Sequence, residues 1–111
     1  MFKYFKYFDK DSVGVGLTYE DTWRPDENLV IKRIHITRKD GAAFTKSTFF
    51  FKVADVVYTH PQVLCKNLGP DILTSPVLDI PISAGQTFAF IFKNLEAAAV
   101  DVVIQLELWS A

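Results

Sequence analysis

Along much of this chain hydrophobic and polar positions alternate with a period of two. From Val100 to Trp109 the even positions are Val100, Val102, Ile104, Leu106 and Leu108, while the odd ones include Asp101, Gln105 and Glu107. Side chains on a strand point alternately to opposite faces, so this segment predicts a strand with one aliphatic and one mostly polar face. Phe88, Phe90 and Phe92 repeat the pattern between turn residues Gly85–Gln86 and Asn94. Val77–Ile82 reads as another strand, with Leu78, Ile80 and Ile82 inward and with Pro81 placing it at a sheet edge or turning that position towards no neighbour. In the first half, Val13, Val15, Leu17 and Tyr19 alternate with Gly14, Gly16 and Thr18. Leu29–Arg38 predicts a strand with Val30, Ile34 and Ile36 on one face and Ile31, Arg33, His35 and Thr37 on the other. Thr48–Val53 predicts a strand apolar on both faces, and Ala54–Thr59 either continues it past a kink or forms a short further strand. Residues 21–28 read as a loop. The longest gap between strands runs from His60 to Ser75, with a short helical turn around Val63–Lys66.

Six to eight short strands at roughly ten-residue spacing predict an all-β, single-domain antiparallel sandwich over residues 1–111. The Cys–Trp–Cys pattern of immunoglobulin domains is missing, which favours a jelly-roll-like wrapping. A chain of 111 residues, half of them hydrophobic, can bury a core of ordinary size. The net charge of -1 lacks the basic bias of a protein that grips double-stranded nucleic acid. No apolar run is long enough to span a bilayer as a helix, and Lys3, Lys6 and Asp9 interrupt any signal-like stretch at the N-terminus.

That N-terminus is the most unusual stretch. Phe2, Tyr4, Phe5, Tyr7 and Phe8 fall within the first eight residues, spaced by Lys3 and Lys6. The period is three, which suits neither face of a regular strand and spreads around a helix. Residues 1–11 are therefore expected either as an N-terminal arm reaching a neighbour or as an edge strand folded over the chain's own sandwich. Exposed, such aromatics would form an apolar patch that lone monomers rarely carry. A second subunit would take them as interface anchors. A membrane surface or single-stranded nucleic acid is a less favoured partner for the same residues.

Catalytic, metal and cofactor chemistry is not predicted. His60 and the single cysteine, Cys65, supply two of the three or four ligands that a tetrahedral zinc site needs. Gly14 and Gly16 form a GxG without the helix that a phosphate loop requires. Glu20, Asp21, Asp26 and Glu27 match no calcium-loop spacing. There is no GxSxG elbow, and a cupin-like barrel would need a histidine cluster that is missing.

The stretch from Ile80 to Asn94, IPISAGQTFAFIFKN, followed by the strand from Val100 to Leu108, resembles the final strand pair of small β-sandwich virion proteins. These include single jelly-roll capsid subunits and decoration or cement proteins. The resemblance implies a non-enzymatic shell component in a virion, acting as a symmetric homo-oligomer beside other virion proteins; if the chain is not viral, the expectation from its N-terminus and apolar runs is a cytoplasmic protein. Its interface candidates are Phe2, Tyr4, Phe5, Tyr7, Phe8 and Trp109. The alternative is a lectin-like module in which Trp23 stacks on a sugar while Asp26 and Asn28 hold its hydroxyls; Tyr19, Tyr58, Trp109 and Asn94 are further candidates.

Overall fold

The structure is a computed structural model that describes residues 1–59, 63–65 and 75–111. Among the described residues the strands are β1 (Phe2–Val13), β2 (Thr18–Trp23), β3 (Leu29–Arg38), β4 (Thr48–Val53), β5 (Val56–Val57), β6 (Val63–Leu64), β7 (Ile80–Ile82), β8 (Phe88–Lys93) and β9 (Val100–Ser110). They form two antiparallel sheets. Sheet A runs β1-β9-β3-β7; sheet B runs β2-β8-β4-β5, with β6 also on β4. First strand pairs with last, second with next to last, β3 with β7 and β4 with β5. This is a long hairpin rolled on itself and closed by the β3–β9 and β4–β8 pairings, which is the jelly-roll wrapping.

The aromatic N-terminal segment lies on its own sandwich. Strand β1 pairs with β9 from Phe2↔Trp109 to Val13↔Val100 and forms one edge of sheet A. Phe8 points inward and is 5% exposed, packed on Phe90 and Phe88 of the opposite sheet with ring centroids 4.9 and 6.1 Å apart. It is a core residue, not an interface residue.

The two inner faces divide by residue type. Sheet A contributes aliphatics (Leu29, Ile31, Ile34, Ile36, Val102, Ile104, Leu106, Leu108), all buried. Sheet B contributes rings: Phe49, Phe51, Phe88, Phe90 and Phe92, joined by Phe44 and by the partly buried Tyr19 and Trp23. The strand patterns of β8 and β9 thus turn out as expected, and Pro81 lies on β7, an edge strand that is confined to Ile80–Ile82 and does not reach back to Val77, with Asp79 at φ 51° just before it.

Four local expectations are corrected. The strand expected over 13–19 is broken by a turn at Gly14–Leu17, closed by Leu17 N–H donating to the Gly14 carbonyl (3.0 Å), with Gly16 at φ 77°. A side chain at that backbone angle is strained, so glycine supplies the turn there. Strand β2 consequently runs into the stretch expected as loop. In β3 the register shifts between Ile31 and Arg33, so Lys32 is an extra, bulged residue. The bulge turns both Ile31 and Ile34 inward although they are three apart, reversing the faces expected for Val30 and Ile31. Finally, Val63–Leu64 pairs with Thr48–Phe49 in place of the helical turn. His60 and Lys66 lie outside the described residues.

Ala54 and Asp55 both have positive φ (49° and 67°), which makes the two-residue turn joining β4 to β5.

One end of the sandwich is tied by buried polar side chains. Asn94 donates through Nδ2 to the carbonyls of Val13 and Ala98 (both 2.9 Å), joining the β1–β2 and β8–β9 turns. The Glu96 carboxylate accepts hydrogen bonds from the N–H groups of Thr45, Lys46 and Ser47 (3.1, 3.0 and 2.8 Å). It also accepts from the hydroxyls of Thr45 and Ser47 (2.8 and 2.7 Å). Burial opposes ionisation of Glu96, yet these donors, led by the Ser47 hydroxyl, win and hold its pKa down to about 2.

A depressed carboxyl pKa adds stability above the unfolded-state value of 4.5 and loses it as pH falls towards about 2. Glu96→Gln is therefore expected to cost about 1–3 kcal/mol at pH 7. The gap to wild type should be constant above about pH 5 and close on acidification. Urea unfolding of both proteins from neutral to acid pH measures it; a gap that does not change with pH contradicts the assignment.

Candidate assembly surface

Sheet A's outer face starts from the odd residues of β9 and their neighbours across the ladder. Glu107 stands opposite Phe5 on β1 and Arg33 on β3. Nothing in the alternation marks this glutamate as buried, yet it is 2% exposed. Its Oε2 accepts from Arg33 Nη1 at 2.9 Å and from Trp109 Nε1 at 3.0 Å. Its Oε1 has no hydrogen-bond partner among the described residues and lies 4.0 Å from His35 Nε2. The other His35 ring nitrogen, Nδ1, is 3.0 Å from the Ser75 hydroxyl.

Serine, histidine and carboxylate thus stand in a row, the components of a nucleophile–base–acid relay. The geometry argues otherwise. Ser75 is buried, the carboxylate-to-ring gap exceeds a hydrogen bond, and Glu107 is already engaged by Arg33 and Trp109. The group is a buried ion cluster with a lid. The Phe5 ring lies 6.2 Å from His35, and the ammonium of Lys32 lies 4.9 Å over the Trp109 ring while it pairs with Asp79 at 2.7 Å. Trp109 is thereby anchored at both its nitrogen and its face.

Beside the lid the surface opens. Phe2 and Phe5 touch at 5.1 Å and are 45% and 43% exposed; Tyr4 is 38% and Tyr7 60% exposed. A register shift at Lys3 lets both Phe2 and Phe5 face outward with Tyr7, while Tyr4, Lys6 and Phe8 face the other sheet. The interface candidates therefore separate: Phe2, Phe5 and Tyr7 form an outer aromatic strip, Tyr4 lies at the rim, Trp109 is half-buried and Phe8 is core. Further along, Lys39 of the β3 end bonds Asp9 and Asp11, bracing the far end of β1.

The residues of the alternative site do not converge. Trp23 points inward against the core with the Lys6 ammonium 6.0 Å from its ring. Asn28 Oδ1 accepts from Ala84 N–H at 3.0 Å, which holds its loop to the β7–β8 turn, and Asp26 is exposed. Asn94 is spent on the turns described above. A different concavity lies on the outer face of sheet B: a groove of about 720 Å³ lined by Phe50, Ala89 and Ile91, with Glu20, Arg24 and Lys52 among its polar residues. Sequence alternation sets Ile91 opposite the Phe88–Phe90–Phe92 face but leaves the face of Phe50 open, and it does not place the two together; the β4–β8 ladder does.

Cys65 is buried, and burial together with the nearby Glu96 charge pushes its thiol up to about 12, far from the range of a reactive thiolate. Among the described residues no cluster of three or more histidine, cysteine or acidic side chains is arranged to hold a metal.

No protein-family model matches the chain, and no curated protein or solved structure matches it.

Removing one member of a buried ion pair leaves the other's charge uncompensated, whereas replacing both with apolar groups often does not. Glu107→Ala should cost about 3 kcal/mol, and the double replacement Arg33→Leu with Glu107→Leu should recover most of that loss. Denaturant unfolding of the two variants decides it. Equal losses would mean that the cluster is not held by the ion pair.

Proposed function

We propose that this protein is a non-enzymatic assembly subunit, a shell component of the capsid or decoration type, that works as a symmetric homo-oligomer through the β1 flank of sheet A. The observation that carries the reading is the aromatic strip of Phe2, Phe5 and Tyr7 on an edge strand, 43–60% exposed in the single chain. Large aromatics left in water beside one another are the anchors of protein interfaces, and closed symmetric oligomers are the usual way for one chain to cover its own patch. Jelly rolls serve in capsids, lectins and cupins alike, so the fold is compatible with the reading without selecting it. The shell role itself draws on the resemblance of the last two long strands to small virion sandwiches.

A second reading, a carbohydrate-binding module, is favoured by the groove on sheet B. Phe50 and Ile91 offer an apolar floor to sugar C–H faces, and Glu20, Arg24 and Lys52 offer groups for hydroxyls. A glycan array that shows binding lost in Phe50→Ala supports this second reading, and an array without binding removes it.

For the assembly reading, light scattering over a concentration series is the test. Wild type is expected at a small integer multiple of the chain mass. The triple variant Phe2→Ser, Phe5→Ser, Tyr7→Ser should move towards the monomer while keeping its strand circular dichroism. A wild-type protein that stays monomeric throughout the series overturns the reading.

A further inference from the structure

Strand β1 ends sheet A, and between Tyr4 and Lys10 its backbone bonds only to β9 among the described residues. Register shifts at Lys3 and at Asp11–Ser12 interrupt the ladder at either end. What lies between is a regular, seven-residue free edge, and a second copy of the same edge is the occupant whose charges fit it.

We propose that β1 pairs antiparallel with β1 of a second copy about a two-fold axis at Tyr7, joining the two four-stranded sheets into one continuous sheet. This rests on the assembly reading and gives it a symmetry and a register. A two-fold axis normal to the sheet sets residues of the same face opposite each other, so each register is centred on one residue. Centring on Lys6 puts two lysines face to face; centring on Phe8 sets Lys6 against Lys10; centring on Asp9 sets two aspartates together. Centring on Phe5 pairs only Tyr4 through Lys6. Centring on Tyr7 uses the whole regular stretch, with Tyr4 opposite Lys10, Phe5 opposite Asp9, Lys6 opposite Phe8 and Tyr7 opposite Tyr7. No like charges meet. Just beyond, Lys3 of one copy approaches the Asp11 end of the other, where two aspartates share the single ammonium of Lys39.

The lysines that guard an edge against indiscriminate pairing here select one pairing. Lys6 in particular faces the inner side, where its ammonium lies 5.5 Å from the Phe8 ring and 6.0 Å from the Trp23 ring. A register that opposes it with another cation is penalised most.

Two measurements test the proposal. In wild-type protein, hydrogen exchange is followed as concentration rises through the association seen by light scattering. Amides within Tyr4–Lys10 that point away from β9 should gain protection, which packing through the aromatic face alone would not give. Separately, Tyr7→Cys is oxidised mildly. Directly opposed residues in an antiparallel pair have Cα atoms about 4.5–5.5 Å apart, within disulfide reach, and the native Cys65 is buried. A covalent dimer should form well above the level given by Val57→Cys, an exposed control on sheet B, and Phe5→Cys mixed with Asp9→Cys should give the mixed dimer. An oligomer whose β1 amides gain no protection overturns the edge pairing and leaves the assembly reading standing. Protection gained without Tyr7→Cys cross-linking above the control overturns the Tyr7 register. A monomer at every concentration overturns both.

Discussion

Everything in sheet A hangs on β9. It is hydrogen-bonded to β1 on one side and β3 on the other, and its inward residues Val102, Ile104, Leu106 and Leu108 have no exposure at all. Its ladder with β1 joins residue 2 to residue 109, the two ends of the rolled hairpin. Contacts of such sequence separation carry the full entropy of loop closure before they return any stability. The consequence for the N-terminus is direct. A free arm would expose one side of β9 and withdraw Phe8 from the ring layer it touches on β8. The first strand is therefore part of the sandwich's closure, and whatever surface it offers a partner is what is left after that closure is made.

Two buried glutamates show how differently the same side chain is used. Glu96 meets five donors from one short loop, so its charge is more than compensated and the carboxyl stays ionised to about pH 2. It binds the β3–β4 and β8–β9 connections into one end of the sandwich. Among the described residues Glu107 has two donors, both on one oxygen, while its other oxygen has no hydrogen-bond partner and lies 4.0 Å from His35 Nε2. A pair buried this way contributes little net stability relative to an apolar packing. What it does supply is position: it orients Trp109 and Arg33 on the face that the aromatic strip shares.

Where period-two alternation is local and uninterrupted, the chain's pattern carries the fold. Strands β8 and β9, the edge position of Pro81 and the two-sheet architecture were all legible from it. The bulge at Lys32 was not, because one extra residue leaves composition unchanged while reversing every face before it. Gly14 and Gly16 fit the alternation as strand glycines, and only the closure of Leu17 onto Gly14 shows the turn that breaks the strand there. The burial of Glu107 and Glu96 was invisible for a different reason. A polar residue is buried by its partners, and Arg33, Trp109, Thr45 and Ser47 are brought to it by strand register and loop packing, which alternation does not encode. Trp23, conversely, looked available in a loop and is turned against the core, partly buried, by the extension of β2.

The opening aromatic run illustrates the same point and resolves its own oddity. A spacing of three fits no regular element, but a single bulge at Lys3 converts it into two useful sets. Phe8 becomes the anchor that fixes β1 to the opposite sheet, with Lys6 laid across Phe8 and Trp23. Phe2, Phe5 and Tyr7 are carried to the outer face, where the single chain covers them only in part. An edge strand needed only to close the sandwich would require the first set alone, and polar residues would serve on its outer face at lower cost in exposed apolar area. Within one copy Phe5 helps to cover the His35 end of the buried ion cluster, but the rest of the strip exceeds that need, and the surplus is the physical reason to look for its complement in another.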